Sequence, residues 1–518
     1  MRSEPPLKTP KRRWLADGIA GFSVALVLIP QSLAYADLAG MPPHTGLYAA
    51  ALAPLLAAYF GSSPYLQTGP GALTSLLTFA ALTTLAVPAS AEYVALAAVL
   101  AVIVGVLRII IGALKGGPVS YLMSEPVLRG FTTAAAILIL SSQLPKALGV
   151  QASGEGVLNR AANALSDPST WETTSLVLAG GTIAIMRIGR RLHPLFPGVL
   201  IAVAAGLAYS MTTGYAGPRV GDIPAMLVPP ISFDLPWSRL PELLIPGGII
   251  ALVGFAEVAS ISQVFAEQKR QPWDPNREFV GQGVANLAAG FAGGFPVGGS
   301  FSRSAVNKMS GAQSRWSGAV AGATVLLFLP FARILEALPL AILGGIIIGA
   351  VIKLLNPRPL LGIVRHSKPQ AFVGFSTFVL TLWLAPHVEG AVLLGIAVAL
   401  AVHIWREQQF GVEARIEDTT LILVPQGVIW FGSAPMFRQS MVKELAADPS
   451  TQRVVIDLSH VGRIDFTGAL ALRDVVESGR SVGRPVLFDG VPPHARRIIG
   501  RVFPAELLTK SRASQESE

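Results

Sequence analysis

Long apolar stretches separated by short polar connections follow one another from about residue 14 to residue 405. A stretch of about 20 apolar residues is long enough for a helix that crosses the hydrocarbon core of a membrane. The first set of candidate spans lies near 15–36, 45–60, 70–86, 91–112, 126–144, 173–192 and 195–213. After a polar, proline-rich segment at 214–243, a second set lies near 244–265, 277–293, 301–311, 316–335, 337–355, 369–386 and 387–405. The pattern therefore predicts an α-helical polytopic membrane protein with seven spans in each half.

The third span of each half is short and follows a segment rich in glycine or proline. This segment covers residues 68–71 in the first half and 298–302 in the second half. Short or interrupted helices at corresponding positions of two halves are typical of a transporter's binding site. Two ordinary helices with glycine packing notches are the alternative that either segment alone leaves open. Because the two segments correspond, we expect a binding site where the short helices begin.

An odd number of spans in each half makes the two halves enter the membrane from opposite sides, which is inverted-repeat topology. The positive-inside rule tests this topology, because cytoplasmic connections carry an excess of Lys and Arg. With a cytoplasmic N-terminus, the inside connections carry Lys115, Arg129, Arg187, Arg190, Arg191, Lys269, Arg270, Arg277, Lys353, Arg358, Arg365 and Lys368. The outside connections carry Lys146, Arg160, Arg219, Arg239 and Arg333. Both termini are therefore expected in the cytoplasm, with residues 1–13 as an N-terminal tail.

The character of the chain changes after Arg406, where charged residues become frequent and no apolar run is long enough to span a membrane. Apolar runs at 419–425, 454–458 and 484–489 predict strands, and the run at 469–478 predicts a helix. Strands that alternate with helices are typical of a small α/β domain. We expect a membrane domain over 14–406, with repeats at about 14–213 and 244–406, and an α/β domain over 407–518.

Composition narrows the function classes. Only 14% of the residues are charged, against about 25% in soluble globular proteins. The net charge of +9 lies in short clusters between apolar stretches, which fits membrane topology better than a nucleic-acid surface. The chain has no cysteine, which excludes disulfides and thiolate metal sites. Phosphate-binding loops and nucleophile elbows are also missing from the sequence. We therefore expect no enzyme activity, no metal and no cofactor.

Two ionisable residues stand out within the predicted spans, where a charge is costly and its presence indicates a function. Glu257 lies in the middle of the first span of the second half, and Arg303 lies at the start of the short helix. A helix that begins at mid-membrane offers free N–H groups and the positive end of its dipole, and an arginine adds a fork of donors suited to oxyanions and carboxylates. This favours an anionic substrate, with Glu257 as a proton-coupling group. A structural ion pair between the two residues is the alternative.

Polar positions also occur in the opening span. Pro30 is expected to interrupt this helix, because proline removes a backbone hydrogen bond. Gln31 and Tyr35 are one turn apart on one face, where they could line a cavity with an amide and an aromatic wall. A packing kink with satisfied polar groups explains the spacing equally well.

Several motifs resemble the sulfate permease (SulP) family of anion transporters. The run at 30–43, which reads Pro-Gln-Ser-Leu-Ala-Tyr-Ala-Asp-Leu-Ala-Gly-Met-Pro-Pro, is similar to the family's opening signature together with Gly46-Leu47-Tyr48. Gly69-Pro70 and the stretches at 276–286 and 302–307 match further pieces. In the tail, Val-Ile-Asp-Leu-Ser at 455–459 and Ile-Asp-Phe-Thr-Gly at 464–468 resemble the STAS domain that this family carries. The resemblance covers nearly the whole chain and points to a prokaryotic member.

The resemblance implies fourteen spans in two inverted repeats, sorted into a core and a gate domain, and a homodimer in the inner membrane. It places the site between the third and tenth spans, and Glu257 where the family often has an acidic residue linked to cation coupling. The substrate-binding residues that it implies are Gln31, Tyr35, Gly69, Gly71, Ala72, Ser300, Phe301, Ser302 and Arg303. In related STAS proteins a hydroxyl at the position of Thr467 is phosphorylated, although a helix-capping role is the interpretation we favour for a transporter.

Together these features favour a secondary active transporter that carries a sulfate-like oxyanion, or a dicarboxylate such as fumarate, with protons. Sodium-coupled bicarbonate uptake and anion exchange are the alternatives within transport. A membrane-anchored STAS signalling protein is a further alternative, but an anchor needs neither paired broken helices nor buried charges. The expected partners are a small anion, the lipid bilayer and a second copy of the chain, with no nucleic acid.

Overall fold

The structure, a computed structural model, describes residues 10–121, 124–224, 228–409, 411–447 and 451–503. Residues 1–9 of the predicted N-terminal tail lie outside the described residues. The chain divides into two compact units, residues 1–396 and 397–518. The first unit is almost entirely helical, and the second contains a sheet flanked by helices.

A helix occupies each of the candidate spans, and most helix ends lie within a few residues of the predicted ones. In the span predicted at 316–335 the α-helix ends at Phe328, and Leu329–Leu335 continue it as a 3-10 helix. The first half contains α1 (Pro10–Leu38), α2 (Pro43–Phe60), α3 (Ala72–Leu82), α4 (Ala91–Ala113), α5 (Glu125–Leu148), α6 (Val157–Ser166), α7 (Thr173–Leu192) and α8 (Gly198–Thr213). The second contains α9 (Leu240–Lys269), α10 (Pro275–Phe291), α11 (Phe301–Met309), α12 (Trp316–Phe328), α13 (Leu340–Val351), α14 (Arg358–His366), α15 (Lys368–Trp383) and α16 (Val388–Glu407). The sequence pattern did not predict the short helices α6 and α14. They occupy corresponding positions in the two halves, which matches a repeated architecture.

Six segments of the described chain are long and apolar enough to cross a membrane by length and composition: Arg13–Leu38, Ala91–Ala113, Glu125–Leu148, Trp237–Lys269, Trp316–Leu335 and Val388–Glu407. Helices α3, α8 and α13 are apolar but shorter. Short helices are expected where a span is broken or buried within the protein. The count of fourteen spans stays a prediction.

Helices α4 and α10 pack backbone against backbone because glycines face each other across the contact. A Cβ atom at Gly105 would lie 2.8 Å from the carbonyl oxygen of Gly283, and one at Gly283 would lie 2.7 Å from that of Gly105. Gly112 and Gly290 each lie seven residues further along their helix. A Cβ atom at either position would lie equally close to a backbone oxygen of the partner helix. Small residues permit such contacts in membranes, where close packing rather than water exclusion holds helices together. This contact joins the first half of the unit to the second.

Helix α1 continues through Pro30, so the expected interruption at this proline is wrong. Proline removes one backbone hydrogen bond, but neighbouring helices and side chains compensate for such a loss in membrane helices. The helix therefore presents Gln31 and Tyr35 from a continuous, almost fully buried segment.

Two very short strands, β1 (Thr68–Gly69) and β2 (Gly298–Gly299), precede α3 and α11. The second unit contains the other strands, β3 (Gly411–Glu417), β4 (Thr420–Ile429), β5 (Arg453–Asp457), β6 (Val461–Ile464) and β7 (Val486–Asp489). Its helices are α17 (Ala434–Ala447), α18 (Phe466–Ser481) and α19 (Pro493–Val502). The strand order is β3-β4-β5-β7, with β6 paired to β4, and only the β3–β4 pair is antiparallel among these described strands. This arrangement confirms the predicted α/β domain.

The helix-capping role favoured for Thr467 is wrong. The N-cap of α18 is Asp465, whose carboxylate accepts a hydrogen bond from the backbone N–H of Gly468 at 2.7 Å and from that of Phe431 at 3.1 Å. A carboxylate at the N-cap satisfies free N–H groups and interacts well with the helix dipole. Thr467 lies exposed in the first turn instead. Its phosphorylation stays a prediction.

Candidate functional site

The two short helices, α3 and α11, begin where the strands that precede them pair with each other. We call this place, formed by Thr68–Gly69 and Gly298–Gly299, the crossing. Strands β1 and β2 pair in antiparallel register, with Thr68 opposite Gly299 and Gly69 opposite Gly298. Because the strands run in opposite directions, α3 and α11 leave the crossing in opposite directions and their N-termini meet there. Free backbone N–H groups and the positive ends of two helix dipoles make such a place suitable for an anion.

Arg303 lies in the first turn of α11 and its side chain is fully buried. Its Nη1 donates a hydrogen bond to Oε1 of Gln31 on α1 at 3.4 Å, which links the two halves of the unit. Nε and Nη2 have no hydrogen-bond partner among the described residues. Buried donors without partners are costly, and these two form one edge of the guanidinium group. That edge matches two oxygens of an oxyanion or a carboxylate.

The predicted polar face of α1 lies at this crossing. The side chain of Gln31 is fully buried, and its Nε2 also has no partner within the described part of the chain. The side chain of Tyr35 is 4% exposed and interacts electrostatically with both Arg303 and Glu257. The opening helix therefore contributes an amide and a phenol to the same space as the arginine.

Glu257 lies in the middle of α9 and is half-buried. It interacts electrostatically with Arg303. Neither residue, however, belongs to an ion pair within 4.0 Å in the described ranges. The structural ion pair considered from the sequence is therefore not formed. The carboxyl group and the guanidinium group are both available to another partner.

The remaining site residues predicted from the sequence also lie at the crossing. Gly71 is the N-cap of α3 and Ala72 is the first residue of that helix. Ser300 is the N-cap of α11, where its hydroxyl accepts from the backbone N–H of Arg303 and lies 3.3 Å from the hydroxyl of Ser302. The side chain of Phe301 is 52% exposed. Thr467 belongs to the second unit and not to this group.

A stripe of polar side chains on α10 holds the crossing in place. Gln282 donates from Nε2 to the Thr68 hydroxyl at 2.7 Å. One turn later, Asn286 accepts from the backbone N–H of Val297 at 2.9 Å and donates to its carbonyl oxygen at 3.1 Å. One turn earlier, Glu278 accepts from the backbone N–H groups that precede β1. Residues four apart share a helix face, so one helix fixes both strands.

Arg108 is a buried charged residue of this region that the sequence pattern did not bring to notice, as is Glu278. Arg108 lies on α4 and is fully buried. Its three guanidinium nitrogens donate to the carbonyl oxygens of Ala251, Val297 and Ile250 at 3.1, 3.0 and 3.2 Å. An arginine inside the predicted span 91–112 was the signal that could have revealed it, by the same rule that identified Glu257 and Arg303.

The surroundings of the crossing differ along α1. Toward the start of α1, a cavity of about 240 Å³ is lined by side chains of α1, α7, α8 and α11, including Ser302 and Arg190. At the end of α1, Asp37 forms a 2.5 Å ion pair with Lys146 of α5. A second cavity, of about 180 Å³, lies beside this ion pair and is lined by Asp37, Lys146 and Ser142. Cavities therefore lie toward both ends of α1, and the ion pair borders one of them.

Comparison with known proteins identifies the family. The model described as the sulfate permease family matches residues 15–377, and the STAS domain model matches residues 411–507. A probable sulfate transporter of Mycobacterium tuberculosis (strain CDC 1551 / Oshkosh) is 33% identical over 404 residues, which are 76% of this chain and 70% of that protein. Human solute carrier family 26 member 6 is 30% identical over 448 residues, which are 80% of this chain and 58% of that protein.

Solved structures share the fold. The murine anion transporter Slc26a9 in the inward-facing state aligns with a TM-score of 0.86 over 95% of this chain and 88% of that chain, at 21% identity. The transmembrane domain of the cyanobacterial bicarbonate transporter BicA aligns with a TM-score of 0.65 over 76% of this chain and 99% of that chain, at 25% identity. The chain therefore belongs to the sulfate permease family, as a multi-pass anion transporter with a C-terminal STAS domain rather than an enzyme.

Proposed function

We propose that this transporter binds a sulfate-like oxyanion or a dicarboxylate at the crossing of β1 and β2 and carries it together with a proton. The observation that carries the proposal is the buried Nε–Nη2 edge of Arg303, which has no partner within the described residues. Two helix N-termini meet beside this edge, so the site combines a full positive charge with two positive dipole ends. An anion with two oxygens on one side would satisfy both free donors.

The relation between Glu257 and Arg303 supports proton coupling. Glu257 interacts electrostatically with Arg303. An anion bound at the guanidinium group would interact with the same positive charge, so a charged Glu257 and the anion would compete for it. Protonation of Glu257 removes that competition. Proton binding and anion binding then favour each other, and thermodynamic linkage requires the effect to be reciprocal.

Alternating access is supported by two cavities toward opposite ends of α1, one of which is bordered by an ion pair between α1 and α5. The cavity beside Ser302 offers a route to the site from the end where α1 begins. The Asp37–Lys146 ion pair joins α1 to α5 at the other end. Movement of the helices that carry the crossing relative to α5, α7, α8 and α13 would open one route and close the other.

We also propose that the transporter is a homodimer in the inner membrane with both termini in the cytoplasm. The basic residues of the predicted inside connections support this orientation. The cavity beside Ser302 contains Arg190, one of those inside residues. This cavity would therefore face the cytoplasm.

Substitution of Glu257 tests the coupling. In proteoliposomes with an imposed proton gradient, Glu257→Gln should abolish proton-driven accumulation of sulfate or fumarate while anion binding persists. Glu267→Gln is the matched control, because Glu267 is an exposed carboxylate on the same helix. Undiminished proton-driven uptake by Glu257→Gln would contradict the coupling role.

Sodium-coupled bicarbonate uptake is the second candidate, together with anion exchange. The likeness to the transmembrane domain of a bicarbonate transporter favours it. Against sodium stands the positive charge of Arg303, which would repel a cation bound at Glu257. Uptake of labelled sulfate, bicarbonate, chloride and dicarboxylates under separate proton and sodium gradients distinguishes these functions. Accumulation of bicarbonate that requires sodium, and ignores the proton gradient, would favour the second candidate.

A further inference from the structure

Arg108 is a buried charge that the transport mechanism does not yet explain. Its guanidinium group is fully buried and donates only to backbone carbonyl oxygens, at 3.0–3.2 Å. It forms no ion pair within 4.0 Å in the described part of the chain. A buried charge without a counter-charge costs several kcal/mol. Packing alone would be served better by an apolar side chain.

The carbonyl groups do not need this arginine for their own hydrogen bonding. Two of them, from Ile250 and Ala251, belong to α9, which is an unbroken helix through this region. The third, from Val297, already accepts a hydrogen bond from Asn286 at 3.1 Å. A role in satisfying otherwise unpaired backbone groups is therefore not sufficient to explain Arg108.

The elements that Arg108 joins are those that carry the two charged groups of the site. The bonded carbonyls of α9 lie about two helical turns before Glu257. Val297 lies directly before β2, which leads into the first turn of α11 and to Arg303. One rigid, planar side chain on α4 thus holds both segments from the same point.

The backbone segments around Arg108 are packed too closely to admit side chains between them. A Cβ atom at Gly254 of α9 would lie 2.7 Å from Nη2 of Arg108 and 3.2 Å from Cγ2 of Thr74. A Cβ atom at Gly298 of β2 would also lie 3.2 Å from Cγ2 of Thr74. The backbones of α9 and β2 therefore meet around the guanidinium group and α3 without space for side chains.

We propose that Arg108 is a positioning residue that locks α9 to β2 and so fixes the spacing between Glu257 and Arg303. Proton and anion binding depend on this spacing, because Coulomb interactions inside a protein change steeply with distance. This role rests on the proposed proton-coupled function. The lock itself is a property of the fold and can be measured separately.

The test compares Arg108→Met with Arg108→Lys, which keeps the charge but cannot reach three carbonyl groups. The natural chain has no cysteine, so spin labels can be placed at single introduced cysteines. One pair, Leu244→Cys and Met309→Cys, reports the distance between α9 and α11 from two exposed positions. A control pair, Leu244→Cys and Glu267→Cys, lies within α9 alone.

We expect both Arg108 variants to broaden or shift the distance between positions 244 and 309 in the full-length protein, with the control pair unchanged. In proteoliposomes the same variants should lower anion uptake per folded transporter by about 10–100-fold and flatten its pH dependence, as expected when supporting residues misplace a site. An unchanged 244–309 distance in both variants would overturn the proposal. If Arg108→Met does not fold, Gly254→Ala displaces the guanidinium group while keeping its charge, and the same outcomes apply. Wild-type uptake without any pH dependence would contradict proton coupling, whereas the distance measurement would still decide the role of Arg108.

Discussion

Arg303 and Gln31 connect the two halves of the membrane unit at the candidate site. The Nη1 atom of Arg303, on α11, donates to Oε1 of Gln31, on α1, at 3.4 Å, and both side chains are fully buried. This contact orients the guanidinium group so that its Nε–Nη2 edge stays free within the described structure. The amide of Gln31 thus holds the guanidinium group in an orientation that suits an anion, and it carries no charge that would compete with the anion.

Replacement of Gln31 tests this relationship. In Gln31→Glu, the new carboxylate would interact with the guanidinium group of Arg303 and compete with the anion for its positive charge. Hydrogen bonds to charged groups contribute about 1.5–3 kcal/mol, so we expect the KM for anion uptake to rise about 10–100-fold. Phe22→Leu, at an exposed position of the same helix, is the control and should leave KM unchanged. Wild-type KM in Gln31→Glu would place the anion elsewhere.

Gly69 should be more sensitive to substitution than Gly71. Gly69 has a φ angle of +151°, which L side chains rarely adopt, and a Cβ atom there would lie 3.5 Å from Nη2 of Arg303. Gly71 is extended, and a Cβ atom there would meet neighbours at an ordinary 3.6 Å. We expect Gly69→Ala to weaken anion binding about tenfold, through about 1–3 kcal/mol of backbone strain and displacement. Equal effects of the two substitutions in equilibrium binding would argue against this geometry.

The Asp37–Lys146 ion pair should favour closure of the end of the site opposite the cavity at Ser302. The two side chains are 15% and 32% exposed, so the pair is worth about 1 kcal/mol. A cysteine introduced at Ser142, which lines the cavity beside this pair, reports access to a membrane-impermeant thiol reagent. Asp37→Asn should raise the labelling rate about fivefold, since 1 kcal/mol changes a population by about that factor.

The charge-swapped double variant Asp37→Lys with Lys146→Asp is the control for this ion pair. If the ion pair favours closure, the swap restores slow labelling at position 142. Fast labelling in the swapped variant would show that the individual residues matter rather than their attraction.

In the second unit, Asp465 should stabilise α18 whereas Thr467 should not. Loss of an N-cap costs about 1 kcal/mol, and Asp465 also accepts from the backbone N–H of Phe431. Hydrogen exchange of the full-length protein should therefore show faster exchange in the first turn of α18 for Asp465→Ala. Thr467→Ala should exchange like the wild type. The opposite pattern would restore the capping role to Thr467.

Much of the fold could be predicted because membrane-spanning helices must be long and apolar. Glycine, proline and charged residues within such stretches indicate where a span is interrupted or carries a functional group. Arg303 and Glu257 were found in this way, as were the two short helices. The same rule applied to Arg108, which was missed because it lies near the predicted end of a span rich in aliphatic residues. Its partners are backbone carbonyls of distant segments, and no side-chain pattern records these.

Other features depend on contacts between segments that are distant in the sequence, and the hydrophobic pattern does not predict such contacts. The continuity of α1 through Pro30 depends on neighbours that compensate for one lost hydrogen bond. The stripe of Glu278, Gln282 and Asn286 has helical spacing, but its contacts with β1 and with Val297 before β2 appear only when the halves pack together. The sequence motif indicated only Thr467 as the cap, whereas α18 begins at Phe466, which makes Asp465 the N-cap.

The central claim is that an anion binds at the free edge of Arg303 between two helix N-termini. A structure determined with selenate, whose selenium gives anomalous scattering, tests it most directly. The account predicts an anomalous peak whose oxygens lie within hydrogen-bond distance of Nε and Nη2 of Arg303, and no such peak in Arg303→Gln. Selenate bound elsewhere in the membrane unit, with the same occupancy in wild type and Arg303→Gln, would contradict it.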